Sequence, residues 1–459
     1  MVPVRPLSKV RDGDPSQIGS GALVEPAGGR GGARVFLAFS LGFFVSYVFR
    51  GVNLAVSPDL STEFNLSASD LGLLTSLYFL GFAGFQLPLG MLLDRFGPRR
   101  VEFCLLLCAA AGAVLFGLAQ SKVMLMAARL LIGIGVSACL MGALKAMALW
   151  FAPERLPAVN GGVFAIGGLG SVAAATPVQL ALLVIDWRGA FLLLAALTLA
   201  VGLFILLGTP ERRTVQPDSN FRALLGGVQS VVKSRAFWRV APLLMMSQGV
   251  FMAVQGLWAG PYLRDVEGKD ALAVTNAVSL IGLSMVAGYW LSGVTARVLA
   301  RRGVPVLITA GVGMLAFMVV QLLILIDARI PAWLIWGLYG LVGSSGVLCY
   351  AVLTPAFAPH MVGRVSTILT LVVFVSAFLV QFGIGVFVSW WPATLTGYAP
   401  EAHRAAWLMM LGAQLIAFIW YCVPLRAPAR PRDVAATIYS LAHHSRKVGS
   451  GLQRTLTRS

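Results

Sequence analysis

Apolar runs of about twenty residues or more recur along nearly the whole chain, and each is long enough to cross a bilayer as a helix. Lipid offers no partner to backbone N–H and C=O groups, so such runs must satisfy those groups within themselves, as helices do. Of the 459 residues, 58% are hydrophobic and only 12% charged, with a mean hydropathy of +0.84. A soluble protein carries about 25% charged residues. The fold class expected is therefore all-α and membrane-embedded, with no soluble domain left over.

Twelve spans are expected, at 35–58, 69–93, 101–119, 123–151, 158–184, 188–208, 240–263, 271–296, 304–326, 331–357, 365–389 and 405–425. The longest interruption, 209–239, divides them six and six. The expected organisation is a tail at 1–34, a bundle at 35–208, a linker at 209–239 that holds a short surface helix, a second bundle at 240–425 and a basic tail at 426–459. The first 34 residues are rich in Gly, Pro and charge and lack an apolar core, so they read as a tail rather than a signal peptide.

Charge sets the expected orientation. Of the 35 Lys and Arg residues, six fall in the loops of one face: Lys122, Arg188, Arg264, Lys269, Arg329 and Arg404. Arg50, Arg129 and Lys145 lie within spans, and all the others sit in the tails and in the loops of the opposite face. The positive-inside bias puts both termini in the cytoplasm, across the inner membrane. The net charge of +17 is thereby explained by orientation and by anionic headgroups at the cytoplasmic face, not by nucleic acid. In the basic tail, Val434, Ile438 and Leu441 share a helical face suited to the inner leaflet.

Little else suggests chemistry. The five cysteines (Cys104, Cys108, Cys139, Cys349, Cys422) lie in apolar runs without metal-ligand spacing and read as inert thiols. Met245, Met246 and Met252 lack a nearby His, so packing is expected rather than a copper site. No nucleotide-binding loop or nucleophile–base set appears. No metal, no cofactor and no enzymatic activity are expected, and the chain is expected to act as a monomer.

One motif is specific. Gly90-Met-Leu-Leu-Asp94-Arg95-Phe-Gly-Pro-Arg99-Arg100 resembles the G-x-x-x-D-R-x-G-x-R-R loop of the major facilitator superfamily, and the resemblance extends over about residues 35–425. Gly293 to Gly303 looks like a decayed copy after the eighth span, with Arg297 in place of the Asp. The resemblance implies two pseudo-symmetric six-helix bundles around a central substrate site, working by alternating access. It also implies that Gly90 lets helices approach, that Asp94 pairs with loop arginines or caps a neighbouring helix, and that Arg95, Arg99 and Arg100 hold the cytoplasmic edge. The loop is thus expected to act in conformational change.

An ionisable side chain within a span costs about 2.5–3.5 kcal/mol on insertion scales, so each one asks for a reason. Arg50, with Tyr47 and Asn53 beside it, lies in a stretch that resembles the first helix of the anion:cation symporters and organophosphate exchangers, whose Arg binds substrate carboxylate or phosphate. The segment Gln86-Leu-Pro88-Leu-Gly90 fits the same group. Lys145, in the fourth span, is a second candidate cation for the cavity. Arg129 opens Arg129-Leu-Leu-Ile-Gly133-Ile-Gly135, similar to the family's R-x-x-x-G-x-G, and is expected near the outer surface, either as a structural residue that snorkels to water or in a conformational role. Gln248 and Gln255, seven apart on one helical face, together with Trp258 and Tyr350, complete the expected substrate-binding set.

Acidic residues are expected only in tails, loops and span ends, with Glu102 at the cytoplasmic rim. The place after G-x-G where symporters often carry Glu is Val136. An acid-free, positive cavity points to a small organic anion moved by exchange, facilitated diffusion or with a jointly bound proton. The rival readings are an efflux permease for neutral or amphipathic compounds and a transporter-like membrane sensor.

Overall fold

The structure, a computed structural model, describes residues 30–152, 154–210, 221–357, 361–392, 394 and 397–423. Most of the two expected tails, Arg212 and Arg213 of the linker, and the face formed by Val434, Ile438 and Leu441 lie outside the described residues. Among the described residues, twelve helices are long and apolar enough to cross a membrane, and no strand occurs. We number them α1 (Gly31–Phe64), α2 (Ala68–Phe96), α3 (Pro98–Gly117), α4 (Lys122–Trp150), α5 (Ala158–Ala181), α6 (Trp187–Gly208), α7 (Arg235–Asp265), α8 (Ala271–Arg301), α9 (Val306–Leu325), α10 (Ala332–Ala356), α11 (Val362–Val388) and α12 (Pro400–Cys422). The first helix starts and the last ends on one face, here the terminal face.

Caps fix several helix starts. Ser67 and Asp70 form a capping box at α2, and Asp186 and Asp270 accept backbone N–H groups at α6 and α8. The apolar run of α1 ends near Pro58, yet the helix continues through polar residues to Phe64. There Glu63 accepts hydrogen bonds from Trp187 and Arg188 of α6, which anchors the extension.

Within the first bundle, small residues set the crossings. A Cβ at Gly81 would collide with the Leu130 backbone, one at Gly133 with Tyr78 O, and one at Gly135 with the Ala109 backbone. The G-x-G of α4 therefore lets this helix wedge between α2 and α3. Gly90 was the expected close-approach glycine, but open space surrounds its Cβ position. The small-residue crossing lies deeper, at Gly81, while nearer the terminal face α2 packs on α3 and α4 through larger side chains such as Leu89 and Leu93.

Across the bundles, α1 meets α7, α2 meets α11 and α5 meets α8. The contacts lie towards the face opposite the termini. Gly72 of α2 packs on Gln381 and Gly385 of α11, Leu54 of α1 packs on Gly260 of α7, and Thr176 Oγ1 of α5 lies 2.8 Å from Ser279 Oγ of α8. A linker helix, Phe221–Val232, buries Val231, and its Gly227 abuts Arg364 at the terminal end of α11.

Candidate functional site

The sealed opposite face leaves a cavity of about 460 Å³ between the bundles, which reaches the terminal face beside exposed Gly363. Its wall is mostly aromatic and aliphatic. Tyr47, Tyr78, Tyr289 and Tyr350 bring hydroxyl groups, and Gln248, Ser366 and Thr370 add short polar contacts. Arg50 is the one charged side chain among the described residues lining it.

Several contacts position Arg50. Its Nη2 donates to Gln255 Oε1 of α7 at 2.7 Å, and its guanidinium lies 4.2 Å from the Tyr47 ring centroid. The Tyr47 face and the Gln255 carbonyl oxygen both favour a cation, and no carboxylate among the described residues lines the cavity to neutralise it. The remaining N–H groups of the guanidinium fork suit a planar or tetrahedral oxyanion.

The other expected substrate contacts divide. Tyr47, Gln248 and Tyr350 line the cavity with Arg50. Gln248 Nε2 donates to Gly343 O at 2.8 Å, and Tyr350 Oη lies 3.2 Å from Thr370 Oγ1. Gln255 does not share the cavity face of Gln248. Seven residues also advance about 10.5 Å along the helix, so Gln255, the second residue of a π-helical turn, Val254–Trp258, lines a small recess behind Arg50 instead.

Three expected contacts lie away from the cavity. Trp258 is buried, with Nε1 donating to Gln381 O of α11 at 3.1 Å, so it ties α7 to α11 behind the seal. Asn53 is fully buried, and its Oδ1, in the amide orientation that satisfies both groups, accepts from Arg129 Nε and Nη2 at 3.2 Å. Lys145 forms an ion pair with Asp94 at the end of α2, and its neighbours Met141 and Leu144 face the cavity in its place.

That ion pair also revises the motif loop, since Asp94 meets a lysine of α4 rather than a loop arginine. Arg99 Nε donates to Leu206 O at 2.8 Å, which satisfies a terminal carbonyl of α6. Arg95 is exposed with its guanidinium 5.3 Å from the Phe96 centroid, and Arg100 is exposed beside it. Arg129 does not snorkel outward: it is fully buried, donates to Phe49 O at 3.1 Å and faces the rings of Tyr78 and Phe116. The short path to water that snorkelling needs is blocked because α4 is wedged between α2 and α3.

Reading the sequence missed Tyr78 and Tyr289 as cavity residues. Tyrosine carries no insertion penalty that would single it out, and only the packing shows which face it takes. It also misplaced Glu102. This residue lies in the first turns of α3, but it is fully buried rather than at a wetted rim.

The model of the Major Facilitator Superfamily matches residues 39–380. The chain belongs to the major facilitator superfamily. It is therefore a multi-pass membrane transporter and not an enzyme, with the two-bundle fold expected of such a chain. It is 27% identical over 276 residues to the probable sulfoacetate transporter SauU of Cupriavidus necator, covering 57% of this chain and 64% of that protein. That match spans less than two thirds of the relative's length. It is 22% identical over 282 residues to a hexuronate transporter of Bacillus subtilis, covering 59% of this chain and 66% of the other. Among solved structures, it resembles a bacterial homologue of the human lysosomal transporter Spinster in an inward-facing, unoccupied conformation. The TM-score is 0.69 at 18% identity, covering 85% of this chain and 96% of that one, a likeness of fold.

Proposed function

We propose that this superfamily member moves a small organic anion across the cytoplasmic membrane by alternating access, with both chain ends inside and the described conformation open to the cytoplasm. The observation that carries the reading is Arg50, the one charged side chain among the described residues lining a mostly apolar cavity, held by Tyr47 and Gln255 with donors left for a solute. Relatives named for sulfoacetate and hexuronate transport support an oxyanion-bearing solute, and they favour the anion:cation symporter branch over the organophosphate exchangers. Tyr47, Gln248 and Tyr350 are the further solute contacts on this reading. Lys145 belongs instead with Asp94 in the gate at the cytoplasmic edge.

Thermal unfolding of the purified protein tests the proposal against sulfoacetate, glucuronate, galactonate, glycerol 3-phosphate, glucose and tetraphenylphosphonium. A ligand at a hundredfold excess over its Kd stabilises the folded state by about 2.7 kcal/mol. Stabilisation by one or more of the anions is expected, lost in Arg50→Ala and weakened about tenfold or more in Arg50→Lys, because an ammonium cannot fork onto two oxygens. Stabilisation by glucose or tetraphenylphosphonium alone would turn the reading towards efflux of neutral or cationic compounds.

A further inference from the structure

Glu102 is 0% exposed, and neither carboxyl oxygen has a hydrogen-bond partner among the described residues. Its niche is shaped for it. A Cβ on Gly42 of α1 would collide with Oε1 and one on Gly142 of α4 with Oε2, while Ile205 of α6 closes the side. An apolar side chain would fill such a niche at lower cost, since an unpaired buried carboxylate costs several kcal/mol. A neutral carboxylic acid lacks only ordinary hydrogen bonds, which costs about 1–3 kcal/mol. The niche therefore suits the group with its proton on.

The way out is short and a counter-charge stands near. Glu102 is the fifth residue of α3, so it lies about 6 Å from the helix start at the terminal face. Lys145 follows Gly142 by three residues and so shares its helix face. Side chains on α4 lean towards its N-terminus, so a lysine released from Asp94 has a route back along the helix towards Gly142 and the Glu102 niche. Its present partner Asp94 is partly exposed, and ion pairs of that kind are weak enough to exchange. Other titratable groups at this level are Cys139 of α4, close enough to interact electrostatically with Glu102, and Arg99 of α3, engaged by Leu206 O. The first helix faces Glu102 with Gly42, and Ile205 of the sixth lies beside the same Gly42 position.

We infer that Glu102 is a proton-binding site, occupied in the described conformation and emptied when Lys145 leaves Asp94 to pair with it as the terminal face closes. The acid O–H breaks, the proton passes to water at the terminal face, and the carboxylate left behind meets the lysine ammonium. Asp94 is then free to engage the closing edge. Acid thus favours the state open to the terminal face, and alkali favours its closure. This goes beyond the anion reading and stands or falls without it, because no solute enters the test.

The experiment is infrared spectroscopy of the purified full chain in lipid nanodiscs at neutral pH, reading the C=O stretch of protonated carboxyl groups. The wild-type band should be missing in Glu102→Gln, and a band of unchanged strength in that variant overturns the site. Spin labels at Phe96 and Gly363, both exposed at the terminal face on opposite bundles, read the gate. Their separation should shorten as pH is raised in the wild type and stay long at every pH in Glu102→Gln. Lys145→Met should keep the infrared band and lose the pH response. If Glu102→Gln does not fold, the wild type and Lys145→Met suffice: a pH-independent wild-type distance, or a response retained in Lys145→Met, refutes the linkage.

Discussion

Replacing Gly385 with Ala should push the protein out of the described conformation. A Cβ at Gly385 would stand 2.6 Å from Ala68 O on α2, a contact that real Cβ atoms essentially never make. The obstacle is helix backbone and cannot rotate away, so the helices must part by roughly 0.8 Å to restore ordinary contact. Overpacking of this kind costs about 1–3 kcal/mol. The contact joins the two bundles and exists only while the opposite face is sealed, so the penalty falls on that state alone. The seal has little to spare, because the Gln381 amide is already buried in it with no hydrogen-bond partner among the described residues. The population ratio should therefore shift about 5- to 150-fold towards opening of the opposite face.

The assay is a pulsed electron-resonance distance between labels at Thr62 and Ser389, exposed ends of α1 and α11 on that face. The accessible cysteines Cys104, Cys108 and Cys422 are replaced first. Gly383→Ala is the control, since nothing lies within 4 Å of its Cβ position. A folded Gly385→Ala protein with an unchanged distance distribution, or an equal shift in Gly383→Ala, would refute the packing argument.

Two further outcomes follow, one from a buried charge and one from a solvent-screened pair. Asn53→Leu removes the acceptor of two Arg129 hydrogen bonds in a dry site and should destabilise the first bundle by about 2–3 kcal/mol in thermal unfolding, whereas Asn53→Asp should fold. Asp94→Asn and Lys145→Met should each change stability by less than about 1 kcal/mol, because solvent screens their pair. A double-mutant cycle measuring several kcal/mol would mean that the pair is fixed and cannot exchange partners as the proton site requires.

The helical spans were legible because each depends only on its own residues: a run of apolar side chains specifies a helix in lipid whatever its neighbours are. Arg50 was legible for a similar reason, since a cation in a span stands out by its cost alone. What escaped depends on pairs of helices. That Asp94 meets Lys145, 51 positions away, is set by how α2 lies against α4. Glu102 is buried because Gly42 and Gly142 vacate space beside it, and nothing in either glycine's local sequence says which helix it will face. Gln255 lines a recess beside Arg50 rather than the larger cavity because seven residues carry it about 10.5 Å further along α7, a displacement that the helical-face argument leaves out.

Arg50 also ties recognition to motion. Its bond to Gln255 joins α1 to α7, and so one bundle to the other, just inside the seal formed by Leu54 and Gly260. Hydrogen bonds to charged groups contribute about 1.5–3 kcal/mol, so this one favours the sealed state while the cavity is empty. An oxyanion on the remaining N–H groups, about 4 Å from the guanidinium, gains on the order of 4 kcal/mol at an effective dielectric near 20, enough to turn the fork away from Gln255. A neutral solute gains no such term and would leave the α1–α7 tie intact. On the anion reading, a bound solute therefore lowers the cost of opening the opposite face, because the fork that turns to it loosens the bond to Gln255.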